Sequence, residues 1–213
     1  MYIPKQFEET DVAKMHDLIR SHPLATLVTL TPSGLNANHI PLMLTESENE
    51  AGVLQGHVAR SNPMWRDAER EREVLAVFQS GEAYISPNWY ATKEQTGKVV
   101  PTWNYSVVHA HGFMTVHEDA EWLRIQITKM TDLREARFPV PWKVSDAPSD
   151  YIEKLIGAIV GIEIVVNRLE GKWKVSQNQP LENRSGVIEG LTRRGDVGDI
   201  EMAKKISNER EPG

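Results

Sequence analysis

The chain has no cysteine at any of its 213 positions. That excludes a disulfide scaffold, a cysteine nucleophile and a thiolate metal site, and it fits a cytoplasmic setting, where disulfides are rare. Long apolar runs are also missing. No stretch approaches the roughly 18 residues that a membrane span requires, and Met1-Tyr2-Ile3-Pro4-Lys5 lacks the basic and apolar segments of a secretory signal. An excess of positive charge is the third absence. Lysine and arginine number 24 against 30 aspartates and glutamates, a net charge of −6 with histidine neutral. A protein that grips a phosphate backbone usually carries a basic face. Here charges alternate in sign, as in Arg66-Asp67-Ala68-Glu69-Arg70-Glu71-Arg72-Glu73, and the adjacent basic pairs are Arg193-Arg194 and Lys204-Lys205. DNA binding is poorly supported by charge, and no membrane association is expected.

What is present reads as short strands with helices around them. A helix is expected over Thr10–Arg20, ended by His22-Pro23. Leu24–Leu30 and Leu35–Leu44 flank the turn Thr31-Pro32-Ser33-Gly34 and make a hairpin. Further strands are expected at Val53–Val58, Val74–Gln79, Ala83–Ser86 and Trp103–His117. Val160–Leu169 and Lys172–Ser176 are expected as a hairpin turning at Glu170-Gly171. Helices are expected from Pro63 to about Arg72, over Ala120–Arg137 and over Pro148–Ile156, with a mostly helical, charged C-terminal end. Antiparallel connections without βαβ alternation favour a mainly β barrel with helices, an α+β protein.

Four segments could carry chemistry. In Gly56-His57-Val58-Ala59-Arg60-Ser61-Asn62-Pro63 a strand ends, an arginine follows, and Ser61-Asn62 stand where a helix would be capped. Arg60 and a helix N-terminus would suit a phosphate, although an ordinary capped helix with a surface arginine explains the same residues. Trp89, Tyr90, Trp103 and Tyr105 lie among Ser, Asn and Thr in turn-rich surroundings. They suit a flat heteroaromatic ligand or, equally, core or subunit packing. His109 and His111 share a strand face, but no carboxylate stands at the spacing a metal site would want, so no metal is expected. Leu169 to Asn178 places two lysines and a tryptophan in one segment, either a solvated hairpin or an edge that reaches a bound anion. No Gly-rich phosphate loop, hydrolase elbow, nucleophile or general base is evident.

Taken in order, these words resemble one family. Met1-Tyr2-Ile3-Pro4-Lys5, His22-Pro23-Leu24-Ala25-Thr26-Leu27, Asn38-His39-Ile40-Pro41, Gly56 to Pro63, Tyr84-Ile85-Ser86-Pro87-Asn88-Trp89-Tyr90, Val100-Pro101-Thr102-Trp103-Asn104-Tyr105, His109 and Gly171-Lys172-Trp173-Lys174-Val175-Ser176-Gln177-Asn178 are similar to the PaiB family. The likeness covers nearly the whole chain, to about residue 191. It implies an FMN-binding split barrel over residues 1–191 with packed helices, related to pyridoxamine-phosphate oxidase-like barrels, and a charged helical tail over 192–213. It also implies a homodimer with FMN at the subunit interface. By position, Arg60, Ser61 and Asn62, with His57, become the phosphate holders. Asn38, His39 and Ile40 become neighbours of the isoalloxazine edge, and Trp89, Trp103 and Tyr105 pocket walls. Lys172, Ser176 and Gln177 become contributions from the partner subunit. The family is described as negative transcriptional regulators; the alternative is a flavin-dependent oxidoreductase of a small molecule, or a haem-degrading relative.

Overall fold

The computed structural model describes residues 1–45, 47–69 and 71–208. In chain order its strands are β1 (Glu8–Glu9), β2 (Leu24–Thr31), β3 (Gly34–Pro41), β4 (Met43–Thr45), β5 (Val53–Ala59), β6 (Val74–Gln79), β7 (Ala83–Ile85), β8 (Thr102–His117) and β9 (Ile159–Lys174). The helices are α1 (Val12–Ser21), α2 (Met64–Asp67), α3 (Thr92–Thr96), α4 (Ala120–Glu135), α5 (Ser149–Gly157), α6 (Leu181–Arg194) and α7 (Val197–Asn208). The chain forms two compact units. The first takes Met1–Leu18, Gln79–Val108 and the residues from Glu170 onward; the second takes Ile19–Phe78 and His109–Leu169.

The second unit is the barrel. Strand β2 buries every second residue, Ala25, Leu27, Thr29 and Thr31, as a strand with one face in a core must. Its turn into β3 places Gly34 at φ 113°, a conformation that glycine adopts without Cβ strain, and the Thr31 hydroxyl donates to the Gly34 carbonyl at 2.8 Å. The hydrogen-bonded strand order is β3-β2-β6-β8-β9-β5-β4. The two ends of that path, β3 and β4, are separated by the single residue Leu42. They form one kinked strand that pairs with β2 before the kink and with β5 after it, antiparallel in both cases, so the path closes on itself. Gly56 of β5 lies at this corner; a Cβ there would sit 2.7 Å from the Pro41 carbonyl oxygen. The expected mainly β split barrel with helices is the fold.

Two local expectations are corrected. The helix expected from Pro63 to about Arg72 is the four-residue α2. It starts one residue later than read, with Pro63 as its N-cap, and the Asn62 side-chain oxygen accepts from the Met64 N–H at 3.0 Å. However, Ala68 is already extended, and the Glu69 N–H donates to the Leu30 carbonyl at 3.0 Å. That tertiary bond and the lack of an apolar stripe after Ala68 outweigh the helix propensity of the charged run. Nor does the chain turn at Glu170-Gly171: β9 runs unbroken from Ile159 to Lys174. Gly171 pairs with Glu9 of β1, and a Cβ there would lie 2.8 Å from the Glu9 carbonyl oxygen, so this glycine permits a close approach and makes no turn.

The first unit has its own core. Ala83, Ile85, Tyr90, Val175, Val187, Leu191, Met202, Ala203 and Ile206 form one buried cluster, with Trp89 packed against it. Residues 192–208, read from the sequence as a charged tail, are the end of α6 and the whole of α7, and α7 supplies three members of that cluster.

Candidate functional site

In the barrel unit the expected residues fall into three groups. Asn38 and Asn62 meet: the Asn62 amide donates to the Asn38 side-chain oxygen at 3.0 Å, and the Asn38 amide donates to Asn36 at 2.5 Å. Ile40 is buried, and His39, on the opposite face of β3, is exposed. His57 lies elsewhere. Its Nδ1 is 2.9 Å from the side-chain oxygen of Gln126, a buried residue of α4, so the pair ties that helix to β5. Beside it, His117 stacks on Trp122 with centroids 4.2 Å apart, and Gly161 leaves the room that Trp122 fills.

Arg60 is occupied by its own chain. Its Nε donates to the Gly157 carbonyl at 2.9 Å, one terminal nitrogen to the Glu118 carboxylate at 2.5 Å and the other to the Ile159 carbonyl at 3.1 Å. Ser61 is exposed beside it. Because α2 has only one turn, it offers little of the aligned dipole that favours an anion at a longer helix. A cavity of about 470 Å³ opens here, lined by Trp65, Ala68, Met114, Thr115, Val116 and Glu118.

In the first unit the aromatic residues separate. Trp103 and Tyr84 are register partners on β8 and β7, edge to face at 5.7 Å, and both are exposed. Trp89 instead lies on α6: a Cβ at Gly190 would stand 2.3 Å from its ring, and the Arg194 guanidinium is 5.2 Å from its centroid. Tyr105 faces Lys172, whose Nζ is 5.3 Å from the ring centroid. Ser176 is a buried non-glycine residue at φ 64°, a strained conformation of the kind that collects at functional sites. The Asn104 amide donates to its hydroxyl at 2.8 Å. Gln177 holds this bend in place, accepting from the Val175 N–H at 2.9 Å and donating to the Trp173 carbonyl at 2.5 Å.

Sequence reasoning left Asn104 and Glu118 out of the candidate site and named Lys174 only as one of two lysines on an edge that could reach an anion. Lys174 had a signal: it follows Lys172 by two, and in a strand that spacing puts both on one face. Asn104 sits between two aromatic residues on a strand, a polar position on the alternate, buried face. Among the described residues its side-chain oxygen and the Ser106 hydroxyl are buried without a hydrogen-bond partner. Such atoms cost free energy unless something answers them. Glu118 could be recognised only through Arg60, 58 positions away in sequence.

A sequence profile of the family described as "Putative FMN-binding domain" matches residues 1–168. Protease synthase and sporulation protein PAI 2 of Bacillus subtilis is 32% identical over 212 residues, covering 98% of this chain and 97% of that one. Among solved structures, a conserved hypothetical protein from Mycobacterium tuberculosis superposes with a TM-score of 0.59 at 14% identity, covering 84% of this chain and 94% of its own. The flavocytochrome Anf3 from Azotobacter vinelandii does so with a TM-score of 0.56 at 10% identity, covering 81% and 72%. At such identities the two structures speak for the fold alone.

FMN needs a cation for its phosphate, donors and acceptors for the isoalloxazine edge, and aromatic or apolar surface for the ring. The first unit holds residues of these kinds in Lys172 and Lys174, in Asn104 and in the exposed Trp103–Tyr84 pair, so the residue types fit the cofactor, although Asn104 and Trp103, neighbours on β8, face opposite sides of the strand. With a family match over most of its length and a full-length PAI 2 relative, the chain belongs to the FMN-binding PaiB family of split barrels, and its cofactor is FMN.

Proposed function

We propose that this protein is an FMN-loaded homodimer that acts in transcriptional repression through its cofactor or a partner protein, without itself gripping DNA. The likeness to PAI 2, whose name places it in protease synthesis and sporulation, supports a regulatory role. The observation that carries the indirect reading is the state of the C-terminal helix pair. Helices α6 and α7, joined at Gly195, are the segment closest in form to a helix-turn-helix. Yet Arg194 is spent on the Asp199 carboxylate, with both ends of its fork engaged, and α7 turns Met202, Ala203 and Ile206 inward. On its outer side α7 presents Glu201 against Lys204, no basic surface. A gel shift in physiological salt is expected to show weak, sequence-blind binding that fades as salt rises. A salt-resistant, sequence-specific shift by the purified protein alone would overturn the indirect reading.

Dimerisation is supported by the outer face of the β2–β3 hairpin. Its cross-strand pairs are Leu30 with Leu35, Val28 with Ala37, Thr26 with His39 and Leu24 with Pro41. Leu24 is 60% exposed and Leu35 80%. A largely apolar sheet face of this kind, interrupted only by the Thr26–His39 pair, marks an interaction surface, and we assign it to a second copy of the chain.

The cofactor itself favours a second reading, an FMN-dependent oxidoreductase of a small molecule. Flavin carries hydride chemistry without a protein nucleophile or base, in keeping with a sequence that nominates neither. Bleaching of the flavin absorbance by NADH or NADPH at a useful rate would establish it. A holoprotein that stays oxidised with both and leaves haem intact returns the protein to the regulatory reading.

A further inference from the structure

The barrel unit carries a second cavity, of about 530 Å³, between α4, the loop that precedes α5, and α5 itself. That volume is in the range of small-molecule sites. Its floor is aliphatic. Ile152 belongs to the buried cluster that α4 and α5 share with Leu123 and Ile156, and Val144 and Ala147 pack against that cluster. The floor is therefore set by packing before any ligand arrives. None of the residues carried over from the FMN family lines this cavity.

The rim is charged. Arg124 and Asp132 lie about two turns apart on one face of α4, and Lys143 joins them from the loop. Arg124 is already spent on the Glu153 carboxylate of α5. The other two are not spent. The Trp142 N–H donates to the Glu135 carboxylate at 3.0 Å, which brings Lys143 to the end of α4 where Asp132 lies. Yet among the described residues neither Asp132 nor Lys143 forms an ion pair, with the other or with a nearer neighbour. Lys129, one turn before Asp132, is exposed, and the Asp146 carboxylate accepts the backbone N–H of Lys143 at 2.9 Å, not its ammonium. A simple anion drawn to Lys143 is repelled by Asp132, and a simple cation drawn to Asp132 is repelled by Lys143. A zwitterion satisfies both with charge-assisted hydrogen bonds.

We propose that this cavity binds a zwitterion of the α-amino acid type with an aliphatic side chain, either a free amino acid or a short peptide. Its ammonium meets Asp132, its carboxylate meets Lys143, and its side chain lies on Val144, Ala147 and Ile152. The test is calorimetric titration of the full-length protein with leucine, leucyl-leucine, N-acetylleucine and leucinamide. At least one of the first two binds, and the tighter of them shows whether the source is a free amino acid or a peptide. N-acetylleucine lacks the ammonium and leucinamide the carboxylate, so each binds weaker by about tenfold or more, the worth of one charged hydrogen bond. Asp132→Asn and Lys143→Met each cost the zwitterion a similar factor, while Asp132→Glu and Lys143→Arg, which keep the charges, retain most of the affinity. Both side chains are exposed and unpaired among the described residues, so the variants are expected to melt like the parent, and the charge-keeping pair controls for any that does not. A parent that binds neither leucine nor leucyl-leucine overturns the proposal. So does binding that survives either neutral substitution. Equal binding of N-acetylleucine or leucinamide overturns it too, since the cavity is then a plain apolar groove.

Discussion

At the scale of single residues, much of this protein turns on what a side chain would meet. Gly190 lies in α6 under the Trp89 ring, and a Cβ would come within 2.3 Å of it. Alanine gains up to about 1 kcal/mol of helix propensity over glycine, while forcing an atom into a packed core costs roughly 1–3 kcal/mol or more. The clash is deep, so Gly190→Ala should lower stability by about 1–2 kcal/mol, read from the denaturant midpoint at unchanged slope. Lys205 gives a test of opposite sign. Burial pushes its ammonium below the ordinary 10.5, with Glu201 opposing. The folded form therefore sheds the proton before the unfolded form does. Between the lowered value and 10.5 the unfolded state binds more protons, and stability rises with pH. Below that window the buried charge is a constant penalty. Lys205→Met should raise the melting temperature at pH 7 and flatten the parent's gain in stability on the way to pH 10. A variant that melts lower at pH 7 would show that the stem's packing outweighs the buried charge.

At the scale of elements, the corner between β3 and β4 decides whether the sheet is an open ladder or a ring. One strand serves two neighbours because Leu42 kinks it, and Leu42 is held there by its N–H donating to the Pro23 carbonyl at 2.8 Å. Gly56→Ala would set a Cβ 2.7 Å from the Pro41 oxygen and 2.8 Å from the Leu42 side chain. Backbone cannot move aside as a flexible side chain can, so a loss of about 2 kcal/mol is expected. Hydrogen exchange should rise first in β4 and β5, the strands that meet at the corner. Uniform protection with unchanged stability would mean that closure is looser than the geometry implies. The strands themselves were legible beforehand: β6 runs from Val74 to Gln79 as expected, because period-two burial is written locally in Val74, Ala76 and Phe78. Helix α2 was not. Its length depends on the Leu30 carbonyl, which no local pattern reveals.

At the scale of the whole molecule, the exposed hairpin face predicts self-association. Leu35→Glu places a charge on the β2–β3 outer surface while touching nothing in the barrel interior, since Leu35 is 80% exposed. Sedimentation at micromolar concentration should find the parent as a dimer and this variant as a folded monomer. A parent that sediments as a monomer would remove the homodimer, while a variant that stays dimeric would move the interface to another face. Among the described residues no helix is long and apolar enough to cross a membrane, in agreement with the missing apolar runs.

The sequence by itself determined the strand alternation, the hairpin at Gly34, the likeness to an FMN-binding family and, through that likeness, the cofactor. Each of these rests on residues near one another in the chain or on words matched in order. Tertiary structure decided the rest. It joined the ends of the sheet at Leu42 and ran β9 straight through Gly171, because Glu9 approaches there. It also gave Arg60 a carboxylate from Glu118. Charge compensation depends on distance in space, and residues 58 positions apart carry no local sign that they will meet.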